Sequence, residues 1–182
     1  MILRKTMVAC RKDSVAELIP VMSAVLGIAA LSQIIIPLYP VPFTGQTLGI
    51  LLSAGILGRK KGMLAVLSYI LLGTMGMPFF AGGNFGLARL AGPTGGYLTG
   101  FIAASFIVGY LSDKGYFKNF TMSVICMTAG NLVIYISGVI WLSEFIRTSD
   151  LLATGVYPFI PGDMIKIVIA ASLVPAARKY LK

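Results

Sequence analysis

The chain contains no histidine, only two cysteines and only six acidic residues among 182. Each scarcity closes off a class of chemistry. Without histidine, a Ser-His-Asp or Cys-His nucleophile system is excluded. Without histidine or clustered cysteine, a zinc site is not expected. Cys10 falls in a basic N-terminal segment and Cys126 inside an apolar run, so no disulfide framework is predicted. No G-x-x-x-x-G-K-[ST] phosphate loop occurs, so the chain has no visible means of using ATP by itself. Charge of any sign is sparse as well, at 12% of residues against roughly a quarter in soluble domains.

What is present in quantity is apolar. Hydrophobic residues make up 57% of the chain, more than a core of this size can hide, so the excess is expected to face lipid. The net charge of +9 would suggest nucleic acid on a soluble surface. Here the cations sit between apolar runs, which is a membrane pattern, and no nucleic-acid partner is expected. The basic start followed by Leu18 to about Leu38 resembles a signal peptide, but the run is long and more follow it. It reads as a retained first helix.

Six segments are apolar enough to span, a helix needing about 20 residues. They run from Ser14 to Ile36, Gln46 to Leu57, Gly62 to Met75, Thr94 to Leu111, Phe120 to Ser143 and Asp163 to Lys179. The expected fold is thus an all-α membrane protein of six transmembrane helices, a single domain over residues 1–182. Lys and Arg set the orientation. With a cytoplasmic N-terminal segment 1–13, twelve cations fall inside: Arg4, Lys5, Arg11, Lys12, Arg59, Lys60, Lys61, Lys114, Lys118, Arg178, Lys179 and Lys182. Only Arg89 and Arg147 fall outside. Both termini are therefore expected in the cytoplasm of a multi-pass protein of the cell membrane. Inner connections are short and charged, while the outer ones (Pro37 to Gly45, Gly76 to Pro93, Glu144 to Gly162) are long and rich in Gly and Pro. Long irregular loops near a membrane need protein or a water-filled cavity to satisfy their backbone, which points to an outward-facing site.

Asp163 and Lys166 share a helix face at i and i+3. Charges inside a span cost about 2.5–3.5 kcal/mol each, so they normally face the interior and mark a functional path. A ligand clamp is one reading, and a helix cap beside a snorkelling lysine is the other. Asn131 and Tyr135 lie at i and i+4 in the fifth span, where an unpaired amide would be costly; they line a cavity or bond between helices. Gln33, Thr44 and Gln46 cluster at the outer ends of the first two spans. The stretch from Pro78 to Tyr97 mixes aromatics, glycines, Asn84 and Arg89, a composition suited to a small-molecule pocket. Small residues recur at Ser23, Gly27 and Ala30, and at Gly96, Gly100 and Ala104, with Ser105 and Gly109 nearby. Such rows let helices approach closely, either within the bundle or against another subunit.

Four stretches, Val41-Pro-Phe-Thr-Gly-Gln-Thr-Leu48, Phe80-Ala-Gly-Gly83, Gly92-Pro-Thr-Gly-Gly-Tyr97 and Pro158-Phe-Ile-Pro-Gly-Asp-Met-Ile-Lys166, resemble in order and spacing the signatures of BioY. BioY is the biotin-binding S-component of energy-coupling factor (ECF) transporters, and the resemblance runs from about Ser14 to the C-terminus. It implies a six-helix S-component fold with long outer loops, capture of biotin from outside, no cofactor, and no enzymatic activity. It also implies a transmembrane coupling subunit and two cytoplasmic ABC ATPases as partners, beside membrane lipid. On that resemblance, Asp163 accepts from the ureido N–H groups, Asn84 or Lys166 donates to the ureido carbonyl, and Arg89 or Lys166 meets the carboxylate. Phe79, Phe85 and Tyr97 line the bicycle, and Thr44, Gln46, Asn131 and Tyr135 complete the candidate site. The first helix of S-components carries an Ala-x-x-x-Ala-like patch facing the coupling subunit. Val25-x-x-x-Ala29 and Ser23-x-x-x-Gly27 occupy that region, making Ser23, Gly27, Ala29 and Ala30 the candidate docking residues. Two other readings stand beside this one: an S-component for a different vitamin, and an intramembrane enzyme built on Asp163.

Overall fold

In a computed structural model, the backbone is described for residues 2–180 and side chains for residues 17–179. The basic side chains expected at Arg4, Lys5, Arg11, Lys12 and Lys182, and Cys10, lie outside the described residues. Helix α1 covers Ile2–Ser32. It ends before Ile34-Ile35-Ile36-Pro37, where three β-branched residues lead into a proline that disfavours helix in the residue before it. Ile35–Ile36 instead form a short strand β1, antiparallel to β2 at Phe43–Thr44, with Ile35 opposite Thr44. The first helix therefore ends at Ser32, four residues short of the Ile36 that the sequence suggested.

Helix α2 covers Gln46–Thr74 but is bent at Gly58, whose φ of 76° lies in the left-handed region open to glycine. The two arms, 46–57 and 59–74, fold back on each other, so that a Cβ at Gly62 would lie 2.7 Å from the Cα of Ala54. These arms correspond to the second and third expected segments. The Asp113 carboxylate accepts from the Arg59 N–H at 3.1 Å, capping the second arm. A short helix α3 (Ala88–Ala91) precedes α4 (Gly95–Asp113), α5 (Phe120–Leu142), α6 (Leu151–Gly155) and α7 (Ile160–Tyr180). The last helix starts three residues earlier than expected, because Pro161 is tolerated in a first turn where its missing N–H is an orphan anyway.

Among the described residues, three helices are long and apolar enough to cross a membrane, within Gly95–Asp113, Phe120–Leu142 and Ile160–Lys179. The described apolar part of α1, Glu17–Ser32, is shorter. Leu132, Ile136 and Ile140 on α5 and Ile165, Val168 and Leu173 on α7 are all exposed, an apolar belt unlike the surface of a soluble monomer. Gly96 and Gly100 of α4 press against Trp141, Ser137 and Ile134 of α5, so that small-residue row packs the bundle. Two apolar clusters fill the interior. One gathers Ile28, Ile50, Tyr69, Phe101 and Ile134, and the other Leu51, Val108, Met127, Ala170 and Val174.

The two ends of the bundle differ. At one end the bend at Gly58 meets Gly109, Lys61 pairs with Glu17 at 3.6 Å, and Arg178 donates to the Ser112 hydroxyl. This end therefore collects the cations of the short, charged connections. The opposite end carries the β1–β2 hairpin and the loops before α4 and α7, and it encloses a cavity.

Candidate functional site

Asp163 sits in the first turn of α7, where the positive helix end favours a carboxylate. Its own N–H bonds to the Phe159 carbonyl at 2.8 Å, so it is inside the helix rather than its cap. Its oxygens face the bundle and are filled by side chains. Oδ1 accepts from Lys166 Nζ at 2.7 Å and from Thr47 Oγ1 at 3.3 Å. Oδ2 accepts from the Tyr135 hydroxyl at 2.6 Å and from Asn131 Nδ2 at 3.3 Å. Asp163 is 3% exposed and Lys166 8%, so this is a buried ion pair, which is tolerable because neighbouring donors and acceptors satisfy both charges.

Lys166 spends its three N–H donors within the protein. Beyond Asp163 it donates to the Thr44 carbonyl at 2.5 Å and to Thr47 Oγ1 at 2.9 Å. Its ammonium lies 3.8 Å from the centre of the Phe43 ring, in cation–π contact. Asn131 Oδ1, by contrast, is buried and without a partner among the described residues.

This cluster closes one end of a cavity of about 260 Å³. That is slightly below the usual range of about 300–1,000 Å³ for ligand pockets, a size for one small molecule. Phe43, Phe101 and Phe159 with Leu98 and Ile134 form apolar walls. Phe43 stacks on Phe159 with ring centres 6.4 Å apart, and Tyr97 meets Phe159 edge-on. Toward the mouth lie half-buried Asn84 and exposed Arg89, and Arg89 donates to the Asn84 Oδ1. Asn84 in turn donates to the Ala81 carbonyl at 2.6 Å, holding the loop in which Gly82 and Gly83 both take positive φ.

A second hydrogen-bonded chain fastens that loop to the bundle. Ser32 and Tyr69 both donate to the Phe79 carbonyl, at 2.5 and 3.0 Å. Gln46 donates to the Tyr69 hydroxyl at 2.6 Å and accepts from Thr44, while the Gly83 N–H donates to Gln33. Gln33, Thr44 and Gln46 thus anchor the cavity rim.

Of the residues singled out from sequence, Asp163, Lys166, Asn84, Arg89, Tyr97, Thr44, Gln46 and Tyr135 line the cavity. Asn131 stands behind it, bonded to Asp163. Phe79 and Phe85 do not line it: Phe79 stacks on Tyr69 at 6.5 Å and Phe85 is exposed. The aromatic faces come instead from Phe43, Phe80, Phe101 and Phe159. Thr47, which touches both charges of the ion pair, was not singled out, although it belongs to the Val41–Leu48 stretch. On α1, Ser23, Gly27 and Ala30 are exposed along one face, and a Cβ at Gly27 would meet nothing within 4 Å. Ala29 and Val25 are buried in the core, so Ala29 does not belong to that face; one helical step, about 100°, separates it from Ala30.

Comparison with known proteins bears on this geometry. A family model described as the BioY family matches residues 6–182. The chain is 43% identical to the biotin transporter BioY of Thermotoga maritima over 145 residues, 79% of this chain and 85% of that protein. It is 36% identical to the biotin transporter BioY of Rhizobium etli over 157 residues, 82% of this chain and 84% of that one. Among solved structures, a crystal structure of the S-component for biotin from an ECF-type ABC transporter superposes with a TM-score of 0.79 at 30% identity. The match covers 92% of this chain and 93% of that one.

Proposed function

The chain belongs to the BioY family, and from that premise we propose that it is the membrane subunit that captures biotin from outside for an ECF-type transporter. The observation that carries this reading is the polar, buried Asp163–Lys166 cluster at the inner end of an apolar-walled cavity with a cation, Arg89, at its mouth. Biotin has the complementary order: a ureido edge, an apolar bicycle, an aliphatic tail and a terminal carboxylate.

The hydrogen-bond inventory supports one orientation. All of the Lys166 donors are engaged internally, so the carboxylate belongs with Arg89 and the ureido edge with Asp163. The carboxylate of Asp163 has about four lone-pair sites, each filled from within. An entering ureido N–H therefore replaces a donor, and the two 3.3 Å contacts from Thr47 and Asn131 are the ones lost at least cost. A displaced Asn131 or Thr47 can then turn to the ureido carbonyl. The resemblance to biotin transporters, rather than this inventory, favours biotin over other vitamins, since Asp163 is already satisfied from within. Asp163 is the one carboxylate lining the cavity among the described residues, which favours binding over acid–base catalysis.

The chain crosses the membrane six times in this reading, through α1, the two arms of α2, α4, α5 and α7. The first arm, at roughly 18 Å for 12 residues, is shorter than the hydrocarbon core of about 30 Å and is covered by its neighbours. The cation-rich end faces the cytoplasm and the cavity faces outward. Two ABC ATPases supply the energy through a transmembrane coupling subunit, which meets the exposed face of Ser23, Gly27 and Ala30. One experiment separates capture from coupling. The purified chain is expected to retain biotin, release it chemically unchanged and hydrolyse no ATP. Gly27→Leu, placed in open space, is expected to leave biotin retention within about twofold while reducing copurification of the coupling subunit. Loss of biotin retention in that variant, or biotin converted to another compound, contradicts the reading.

A further inference from the structure

A second cavity, of about 390 Å³, opens at the cation-rich end between the end of α4, the end of α7 and the segment that joins α4 to α5. Lys118, Arg178 and Lys179 line it together with Ser112, Asp113 and Phe117. It is remote from the biotin cavity and shares no lining residue with it.

Three cations here face one carboxylate, and that carboxylate is already committed. Asp113 accepts from the Arg59 N–H and caps the second arm of α2. Among the described residues, none of the three cations is in an ion pair. Arg178 gives one N–H to Ser112, whose hydroxyl donates to the Gly55 carbonyl, so the guanidinium is fixed in place with further donors to spare. Lys118 folds over Gly115, its Cε 3.7 Å from where a Cβ there would be. The result is a concave, positively charged hollow of a size for one tetrahedral oxyanion and its substituents.

The helices beside the hollow carry exposed apolar side chains that do not line it: Phe120, Met122 and Ile125 on α5, and Leu173 on α7. A ligand with an anionic head and acyl chains would find both halves matched, head among the cations and chains along the helices. Basic hollows between transmembrane helices on the cytoplasmic side suit lipid headgroups of this kind. We infer that this hollow is a phosphate-group site for the headgroup of an anionic phospholipid of the inner leaflet. The inference stands apart from the biotin site and needs only that the chain lies in a membrane with this end inward.

The test is native mass spectrometry of the purified full chain in a gentle detergent, titrated with phosphatidylglycerol, phosphatidylcholine or inorganic phosphate. Phosphatidylglycerol is expected to bind as a one-per-chain adduct, and phosphatidylcholine to bind far more weakly. The double variant Lys118→Gln/Lys179→Gln is expected to weaken the phosphatidylglycerol adduct about thirtyfold, two cations near a membrane surface being removed. Lys60→Gln/Lys114→Gln removes the same charge from the same end outside the hollow and is expected to change it less than threefold. Biotin retention in both variants reports that the chain is folded. Equal loss in the two double variants, or no preference for phosphatidylglycerol in the native chain, overturns the site. Inorganic phosphate competing at concentrations similar to phosphatidylglycerol shows that the acyl chains contribute nothing and overturns the lipid assignment in favour of soluble phosphate.

Discussion

Asp163→Ala is expected to lower biotin affinity by about 30- to several-thousand-fold, corresponding to roughly 2–5 kcal/mol for removing one partner of a buried charged hydrogen bond. The same substitution is expected to destabilise the chain. Lys166 would keep an ammonium only 8% exposed with no carboxylate beside it, and breaking a buried pair from one side costs about 3–5 kcal/mol. Loss of binding alone therefore does not separate a ligand contact from a fold defect. Asp163→Ala/Lys166→Met does, since it removes both charges: the thermal midpoint is expected to recover toward that of the native chain while biotin binding stays lost. Asp163→Asn is expected to recover part of each, because the amide keeps one acceptor but presents N–H groups to Tyr135 and to the ligand. Near-native affinity in Asp163→Ala, or recovery of binding in the double variant, would remove Asp163 from the site.

The second large effect lies one residue earlier. Any side chain at Gly162 runs into the Phe43 ring, which is stacked on Phe159 and sits beneath the Lys166 ammonium. Gly162→Ala thus moves a wall of the cavity without touching a polar group. Overpacking of this kind costs about 1–3 kcal/mol, or roughly 5- to 150-fold if it falls wholly on the binding-competent arrangement. Gly162→Ala/Phe43→Leu is expected to restore part of the affinity, since a smaller side chain gives way where the ring cannot. A double-mutant cycle measures that coupling, and strict additivity of the two substitutions would show that the ring is not the obstacle.

These residues also show what could be read in advance. Lys166 beside Asp163 was legible because i and i+3 on one helix fix their proximity. Their partners Thr47, Asn131 and Tyr135 come from other helices, and no local period relates positions so far apart in the chain. Asn131 and Tyr135 were singled out because polar groups in a span must find partners; Thr47 drew no such attention, since a threonine near a helix start reads as a cap. Tyr97 lines the cavity as expected, but Phe79 and Phe85 lie off it for a different reason. Residues 78–87 have no helical or strand period, so nothing in the sequence decides that Phe80 turns inward while Phe79 stacks on Tyr69 and Phe85 faces out. On α1 the difference is one of phase, Ala29 turning into the core one helical step from the exposed Ala30. The bend at Gly58 was legible as two short segments around Gly-Arg-Lys-Lys, a charged break that no straight span would contain.

Chemical accessibility of the cavity tests the central claim most directly. In a background carrying Cys10→Ser and Cys126→Ser, Ala81→Cys places one thiol on the cavity wall and Lys60→Cys places one at the cation-rich end. A membrane-impermeant thiol reagent is applied to intact cells with and without biotin. Ala81→Cys is expected to react from outside and to be protected by biotin in a saturable way, at concentrations matching biotin binding to the purified chain. Lys60→Cys is expected to react only after permeabilisation, whether or not biotin is present. An Ala81→Cys thiol that saturating biotin leaves fully reactive, or a Lys60→Cys thiol modified in intact cells, would contradict an outward-facing biotin cavity at this place in the fold.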